Sequence, residues 1–223
     1  MQNEMSKQLI LDFFENKVTA THNLVRTIQL PSTKNKLDGK VIIFPKFFDR
    51  RESDRFFDKL HRNLIWRQDQ IRVFGKEIRI PRLNAWYGDE GKTYTYSGNC
   101  MSPLPWTPAL ILIKEKIEQE IGLNFNSVLA NQYRDGKDSV SWHSDDEPEL
   151  GINPVIASVS FGETRRFQLR HKSNKELEKI EIALTHGSLL IMKGTTQHYW
   201  KHQIPKTAKN IGARINLTFR MVN

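Results

Sequence analysis

Apolar residues in the first half of the chain recur at helical and strand spacings. Residues 49–64 predict a helix whose apolar face is formed by Phe56, Phe57, Leu60 and Leu64. A second helix is predicted over residues 105–121, and Gly122 is a typical end for it. Between the two, residues 71–82 alternate around Gly75 and predict a β-hairpin.

From Ser127 onward the pattern changes to short strands separated by turn residues. Residues 41–47 predict one earlier strand. Seven further strands are predicted over residues 127–133, 155–161, 165–171, 178–184, 188–193, 197–203 and 213–221. Short strands at this spacing favour a β-sandwich or jelly roll, with the two helices packed on one outer face. The expected fold class is therefore α+β, mainly β.

The first 40 residues differ in character from the rest. They are mixed and polar, with one apolar patch at residues 9–14 and a break at Pro31. We expect residues 1–40 to form a loosely attached arm and residues 41–223 to form one domain, which is long enough to bury a substantial core.

Composition narrows the possible partners. The chain has 34 Lys and Arg against 25 Asp and Glu, a net charge of +9, which favours nucleic acid over a membrane as the partner. No apolar run reaches the roughly 18 residues of a membrane span, and the N-terminus lacks a signal-peptide pattern. Cys100 is the only cysteine, which excludes an intramolecular disulfide and suits a reducing compartment.

A polar run after Trp142 carries the candidate chemistry. His143 and Asp145 stand two apart, so on an extended segment both side chains point the same way. An isolated His-x-Asp is usually structural, but here Asp146 and Glu147 follow, and burying such a run without a cation would be costly. The segment is therefore a candidate metal site.

A distant second histidine would complete the ligand set. Two histidines and one carboxylate cover one face of an octahedral metal and leave three positions open, as in non-haem Fe(II) oxygenases. His198 and His202 are both candidates, and spacing does not choose between them because alternation places both on one face.

The closing run from Arg214 to Arg220 alternates polar and apolar residues. Two arginines at its ends supply planar forks suited to a dicarboxylate co-substrate. Taken alone, the run is more typical of a solvated strand face.

Nine ordered motifs resemble those of the AlkB family of oxidative nucleic-acid dealkylases, most closely the members that repair double-stranded DNA. The resemblance covers about residues 70–221. The motifs are Val73-Phe74-Gly75, Tyr87-Gly88-Asp89, Thr93-Tyr94-Thr95-Tyr96-Ser97-Gly98, Asn131-Gln132-Tyr133, His143-Ser144-Asp145-Asp146-Glu147, Ala157-Ser158-Val159-Ser160-Phe161-Gly162, His186-Gly187-Ser188-Leu189-Leu190, Trp200-Lys201-His202 and Arg214-Ile215-Asn216-Leu217-Thr218-Phe219-Arg220. The resemblance implies a double-stranded β-helix, or jelly roll.

The resemblance also implies a ligand set. It assigns Fe(II) to His143, Asp145 and His202, which selects His202 over His198. It places Arg214 at the distal carboxylate of 2-oxoglutarate and Arg220 near the metal-chelating end and Asp145. The other residues implied to complete the co-substrate pocket are Asn131, Tyr133, Asn216 and Thr218.

The implied reaction is direct-reversal repair of DNA. With Fe(II), 2-oxoglutarate and O2, an N-methyl group of 1-methyladenine or 3-methylcytosine would be oxidised and lost as formaldehyde, while 2-oxoglutarate becomes succinate and CO2. Asp146, as a catalytic and substrate-binding residue, and Glu147 would supply negative charge to these cationic bases. Alternatively, Glu147 orients the metal ligands or caps a turn.

A base inside a duplex must be flipped to reach a buried metal. The resemblance implies that residues 70–98 form a nucleotide-recognition region, in which Tyr96 stacks opposite His143 where close relatives carry Phe. Phe74 would fill the gap left in the base stack, unless it is a core residue. The remaining implied contacts are Tyr94 and Ser97 with the base, and Lys76, Arg79 and Arg82 with phosphates.

We therefore expect a monomeric DNA-repair dioxygenase acting on double-stranded DNA, in the cytoplasm if bacterial and the nucleus if eukaryotic. The alternatives are an RNA or protein demethylase of the same superfamily and a non-catalytic nucleic-acid-binding module. Residues 8–14 also resemble the short peptide by which bacterial repair proteins bind the sliding clamp. The alternative for that segment is an amphipathic helix packed on the catalytic domain.

Overall fold

The computed structural model describes residues 25–32, 37–73, 76–92, 94–96 and 99–223. Its strands are β1 (Arg26–Pro31), β2 (Leu37–Phe44), β3 (Gln70–Val73), β4 (Lys76–Arg79), β5 (Leu83–Gly88), β6 (Tyr94–Tyr96), β7 (Asn99–Met101), β8 (Ser127–Tyr133), β9 (Val140–His143), β10 (Ile156–Gly162), β11 (Arg165–His171), β12 (Ile180–Leu184), β13 (Ser188–Lys193), β14 (Trp200–Ile204) and β15 (Arg214–Arg220). Its helices are α1 (Arg50–Asn63), α2 (Pro108–Ile121) and α3 (Thr196–Tyr199).

Two antiparallel sheets form the body of the fold. The major sheet has the strand order β1-β2-β13-β10-β15-β8-β5, and the minor sheet has the order β12-β11-β14-β9. Apolar residues of both sheets form a shared core, including Leu190 and Met192 of the major sheet and Phe167 and Leu169 of the minor sheet. Two hairpins, β3–β4 and β6–β7, lie outside these sheets. The predicted jelly roll is confirmed.

Helices α1 and α2 cover the other face of the major sheet. Helix α1 begins at a capping box, in which Asp49 Oδ1 accepts from the Glu52 N–H and Glu52 Oε2 accepts from the Asp49 N–H. Helix α2 ends at Gly122, whose φ of 67° suits glycine. The buried residues that join the helices to the sheet include Leu60, Leu110, Ile113, Ile117, Val159 and Leu217. The predicted outer helical layer is confirmed, and none of the helices in the described part of the chain could cross a membrane.

The structure corrects two predictions about elements. Residues 26–31 do not belong to a loose arm, because they form β1 at the edge of the major sheet, with Leu30 fully buried. Residues 197–203 are not one strand, because α3 precedes β14. The cause of the second correction is Thr196, whose buried Oγ1 donates to the Lys193 carbonyl at 2.7 Å and holds a helical turn.

Candidate metal centre and co-substrate pocket

A cavity of about 270 Å³ lies between the inner faces of the two sheets. The major sheet contributes polar side chains from β8, β10 and β15, and the minor sheet contributes both histidines of the candidate ligand set. Apolar residues complete the walls, among them Leu129, Phe167, Leu184, Met192 and Ile204. The polar groups therefore converge inside an enclosure that is otherwise apolar, as is typical of ligand sites.

His143, Asp145 and His202 converge in this cavity. His143 ends β9 directly opposite His202 on β14, and Asp145 follows two residues later. One ligand atom from each residue lies within 4.8 Å of the others. The distance between the two imidazole centroids is 4.2 Å. Two imidazoles and one carboxylate at this spacing fit an octahedral Fe(II) with three open positions.

Hydrogen bonding fixes the tautomer of His143. Its Nδ1 lies 2.8 Å from the Ser141 carbonyl oxygen. A carbonyl only accepts, so Nδ1 carries the proton and Nε2 keeps a free lone pair for a metal. His198, the alternative candidate, is exposed on α3 and does not belong to the cluster.

The other two candidate ligands are in the protonation states that metal binding requires. Burial alone would raise the pKa of Asp145, but the charges of Arg220 and the two histidines outweigh it and lower the pKa to about 2. Burial, together with His143, lowers the pKa of His202 to about 3. At neutral pH the site therefore offers a carboxylate and a neutral imidazole.

β15 supplies the polar wall opposite the metal ligands. All seven of its residues are buried, so the run is not a solvated strand face. Its ladder places Arg214 opposite Tyr133 and Asn216 opposite Asn131 on β8. The polar residues at alternating positions of β15 all line the cavity, namely Arg214, Asn216, Thr218 and Arg220.

Arg214 is a buried cation with donors to spare. Its Nη2 donates to Ser160 Oγ at 2.9 Å, while Nε and Nη1 are buried without a hydrogen-bond partner among the described residues. Burial lowers the pKa of Arg214 to about 10, so it stays protonated at neutral pH. Unpaired buried donors are rare and indicate a missing partner. A carboxylate can accept hydrogen bonds from such a guanidinium and neutralise its charge. The distal carboxylate of 2-oxoglutarate therefore fits this wall.

Hydrogen bonds to neighbouring side chains fix the other polar residues of β15. Arg220 Nη2 donates to Asp145 Oδ1 at 2.7 Å and so connects β15 to the metal ligands. Asn216 Nδ2 donates to Ser158 Oγ at 2.8 Å, and Thr218 Oγ1 donates to Asn216 Oδ1 at 3.2 Å. These contacts preorganise the wall without a ligand.

Arg82 lies inside the cavity. It is buried, its Nε donates to Asn131 Oδ1 at 2.7 Å, and it lines the cavity. Its guanidinium therefore orients Asn131, and its predicted phosphate contact stays a prediction. Arg79 on β4 is exposed, as a phosphate contact requires.

Asp146 lies apart from the candidate ligands, and its predicted substrate contact stays a prediction. It is half-exposed, lies outside the cavity lining and pairs with Lys172 Nζ at 2.8 Å. Glu147, in contrast, lines the cavity, and its Oε2 is buried without a hydrogen-bond partner in the described structure. Of the two predicted acidic groups, only Glu147 faces the site.

The other predicted substrate contacts have no side-chain description. Phe74 and Ser97 lie outside the described residues. Tyr94 and Tyr96 belong to β6, but their side chains also lie outside the described part. Their roles stay predictions.

One residue of the site has no signal in the sequence. Gln197 is buried, and its Oε1 accepts from the Asp145 backbone N–H at 2.9 Å. The two residues are 52 positions apart, and no motif spacing relates them.

Fold and ligand set together define a non-haem iron oxygenase, and comparison with known families agrees. The family model described as "2OG-Fe(II) oxygenase superfamily" matches residues 40–220. The chain belongs to this superfamily, whose metal is Fe(II) and whose co-substrate is 2-oxoglutarate, and within it to the AlkB family.

Curated relatives place the chain more finely. It is 47% identical over 192 residues to "Alpha-ketoglutarate-dependent dioxygenase alkB homolog 3" of Bos taurus, covering 82% of this chain and 66% of the relative. It is 38% identical over 196 residues to "DNA oxidative demethylase ALKBH2" of Homo sapiens, covering 84% of this chain and 75% of the relative. The chain thus spans just under two thirds of the length of the first relative.

A solved structure supports the fold. The chain entitled "The structure of OsALKBH1" superposes with a TM-score of 0.57 at 16% identity, covering 81% of this chain and 96% of that chain. At this identity the likeness concerns the fold alone.

Proposed function

We propose that this protein oxidatively demethylates N-alkylated bases in DNA, with 1-methyladenine and 3-methylcytosine as substrates. The observation that carries the enzymatic class is the buried Arg214, two of whose nitrogen atoms have no partner among the described residues, in one cavity with the His143, Asp145 and His202 cluster. The DNA substrate is supported by the name DNA oxidative demethylase of a relative and by the net charge of +9.

Each wall of the cavity has its own task in this reaction. His143, Asp145 and His202 would hold Fe(II), which when bound would supply, with 2-oxoglutarate and O2, the oxidation that removes the methyl group as formaldehyde and leaves succinate and CO2. Arg214, which has buried donors without a partner among the described residues, binds the distal carboxylate of the co-substrate. Arg220 holds Asp145 Oδ1 and so fixes the orientation of the carboxylate.

The other polar residues shape the co-substrate site. Asn131 is oriented by Arg82, and Asn216 by Ser158. Tyr133 lies opposite Arg214 in the β8–β15 ladder, with its ring 5.1 Å from the guanidinium. Because these groups are fixed before binding, little side-chain entropy is lost when 2-oxoglutarate enters.

Substrate recognition requires a flipped base. Glu147 lines the cavity with a buried carboxylate oxygen and suits the positive charge of 1-methyladenine and 3-methylcytosine. We assign stacking on the flipped ring to Tyr96, with His143 on its other side, and contacts alongside it to Tyr94 and Ser97.

Duplex DNA is the favoured form of the substrate. The hairpin β3–β4 stands apart from the two sheets, and its register pairs Val73 with Lys76; in the sequence, Phe74 and Gly75 stand between its strands. An aromatic residue at such a connection suits a wedge that fills the gap left by a flipped base. Phe74→Ala should therefore lower repair of duplex DNA at least about tenfold more than repair of single strands.

The matched control for Phe74 is Ile78→Ala. Ile78 lies on the same hairpin and is 47% exposed, so its loss removes a comparable apolar group away from the connection. We expect equal repair of both substrates by this variant. Equal losses on duplex and single strands for Phe74→Ala would contradict the wedge.

A substrate panel tests the function itself. Matched oligonucleotides carrying 3-methylcytosine in DNA and in RNA, and a methylated lysine peptide, are incubated with protein, Fe(II) and 2-oxoglutarate, and demethylation is followed by mass spectrometry. We expect demethylation of the DNA at the highest rate. A higher rate on RNA or on the peptide would replace the proposed substrate.

Two finer proposals concern assembly. We propose a monomer, which sedimentation of the full chain would test.

A sliding-clamp contact through residues 8–14 concerns residues outside the described part. If it exists, deletion of residues 1–15 leaves activity on free oligonucleotides unchanged and removes clamp binding. A drop of several degrees in Tm on deletion would instead indicate packing on the catalytic domain.

A further inference from the structure

Gln197 contacts the metal-binding segment without belonging to the ligand set. It lies on α3, five residues before His202, and only 2% of it is exposed. Its Oε1 accepts from the Asp145 backbone N–H at 2.9 Å, and its Nε2 lies 3.5 Å from Met192 Sδ, a weak acceptor. The amide is therefore held at both ends, with its oxygen directed at the metal-binding segment.

Asp145 has no strand ladder to fix its backbone. β9 ends at His143, and its ladder with β14 contains only the pairs His143–His202 and Val140–Ile204, with an irregularity between them. The Asp145 residue is nevertheless buried, and a buried N–H without an acceptor is strongly disfavoured. Gln197 supplies that acceptor.

Two contacts together determine where the Asp145 carboxylate stands. Arg220 holds its Oδ1 at 2.7 Å, and Gln197 holds its main chain. The other carboxylate oxygen, Asp145 Oδ2, lies 3.8 Å from His202 Nε2, a separation at which both atoms could bind one metal ion. Side-chain rotation is thus limited by one partner and main-chain displacement by the other.

The helix that carries Gln197 is itself anchored to the major sheet. Thr196, 1% exposed, donates to the Lys193 carbonyl on β13 and accepts from the Lys40 N–H on β2 at 3.1 Å. Gly39 permits this approach, since its φ is +126° and a Cβ there would stand 2.3 Å from Thr196 Oγ1. Gln197 thus connects two inner strands of the major sheet, β2 and β13, to the segment that follows the edge strand β9 of the minor sheet.

We propose that Gln197 is a positioning residue of the metal centre, which holds Asp145 in the place where its carboxylate can complete the ligand set. It acts through the Asp145 main chain and does not touch the metal. The inference rests on the proposed metal site but is independent of the substrate. Hydrogen-bond partners of metal ligands of this kind contribute about 10–100-fold to metal affinity.

Co(II) binding to the full chain tests the proposal. Affinity is measured from the visible absorption of Co(II), without 2-oxoglutarate or nucleic acid, beside the Tm of the metal-free protein. Gln197→Met keeps length and removes the acceptor, and it should weaken Co(II) binding about 10–100-fold. Gln197→Asn keeps the amide but shortens its reach, and it should give an intermediate loss.

Gln203→Met is the matched control. Gln203 lies on β14 beside His202, and its Nε2 donates to Gln168 Oε1 at 2.7 Å, away from the cavity lining. We expect the Co(II) affinity of this variant to stay within about twofold of that of the unaltered protein, a much smaller change than the loss of about 10–100-fold expected for Gln197→Met. Unchanged Co(II) affinity in Gln197→Met, with a lowered Tm, would overturn the proposal and make Gln197 a packing residue.

The outcomes separate this inference from the proposed function. If Gln197→Met does not fold, unchanged affinity in Gln197→Asn overturns the proposal, and a loss supports it. Failure of the unaltered chain to bind Co(II) overturns the metal site and the proposal with it. Normal Co(II) binding without demethylation of DNA overturns the proposed substrate alone, while the affinity series still decides the role of Gln197.

Discussion

The two walls of the cavity are built by different means. β15, which carries Arg214 and Arg220, lies inside the major sheet and is paired along its whole length with β8, and from Arg214 to Phe219 with β10. β9, which carries His143, is an edge strand of the minor sheet, and Asp145 lies beyond its end. The co-substrate wall is therefore held by a continuous backbone ladder, whereas Asp145 of the metal wall is held by individual side chains.

Because of this difference, the local sequence predicts the residues of the two walls to different extents. A buried strand presents every second residue to the cavity, so the four polar residues of β15 can be read from their alternation. The metal wall depends on contacts such as Asp145 with Gln197 and with Arg220, which join residues 52 and 75 positions apart. Local spacing therefore predicts that the polar residues of β15 share a face and that His143 and Asp145 do so too, but it does not predict the partners that hold Asp145.

The largest effect is expected on the metal wall. His202→Ala removes a ligand, so turnover should fall by more than the roughly 100-fold typical of lost ligand partners. His198→Ala removes an exposed histidine on α3 and should leave turnover unchanged. Succinate formation measures both variants, and circular dichroism checks the fold. The opposite ranking would contradict the ligand assignment.

A smaller effect is expected on the co-substrate wall. Arg214→Lys replaces a planar fork by a point charge, so the KM for 2-oxoglutarate should rise about 10–100-fold, the loss of one charged hydrogen bond. The control is Arg166→Lys, because Arg166 pairs with Glu181 at 3.8 Å on the exposed face of β11. An unchanged KM in Arg214→Lys would show that the carboxylate binds elsewhere.

The smallest effect is expected outside both walls. The Asp146–Lys172 pair is partly exposed, with 52% of the Asp146 side chain accessible, and such pairs contribute about 0–1 kcal/mol. Lys172→Ala should therefore change Tm by no more than about 3 °C and leave turnover within about twofold. Asp146→Asn should do the same. A large loss of turnover on methylated DNA in Asp146→Asn would restore the direct substrate contact that the sequence predicts.

Elements with a clear period were predicted well from the sequence. The bounds of β8, β11 and β13 match, and α1 and α2 begin and end within a few residues of the prediction. Strand β1 is only six residues long and stands in a polar segment, so its sequence gives no sign that Leu30 is buried. Short elements give little periodic signal, and tertiary contacts decide them.

The site shows the same limit at the level of single residues. Spacing leaves His198 and His202 equivalent. The α3 turn that separates them is held by Thr196 through the Lys193 carbonyl and is anchored to β2 by a contact between Thr196 and Lys40, 156 positions apart. The sequence predicts a phosphate contact for Arg82 and gives no sign of its hydrogen bond with Asn131, which lies 49 positions away. Long-range hydrogen bonds redirect side chains, and the local sequence carries no record of them.

Product balance on methylated DNA is the most direct test of the proposed reaction. Duplex DNA with one 1-methyladenine is incubated with the protein, Fe(II) and 2-oxoglutarate, with and without an iron chelator, and formaldehyde, succinate and restored adenine are measured together. We predict that restored adenine and formaldehyde form in equal amounts with a matching amount of succinate, and that the chelator or His202→Ala abolishes all three. Adenine restored without formaldehyde, or demethylation that persists in chelator, would contradict it.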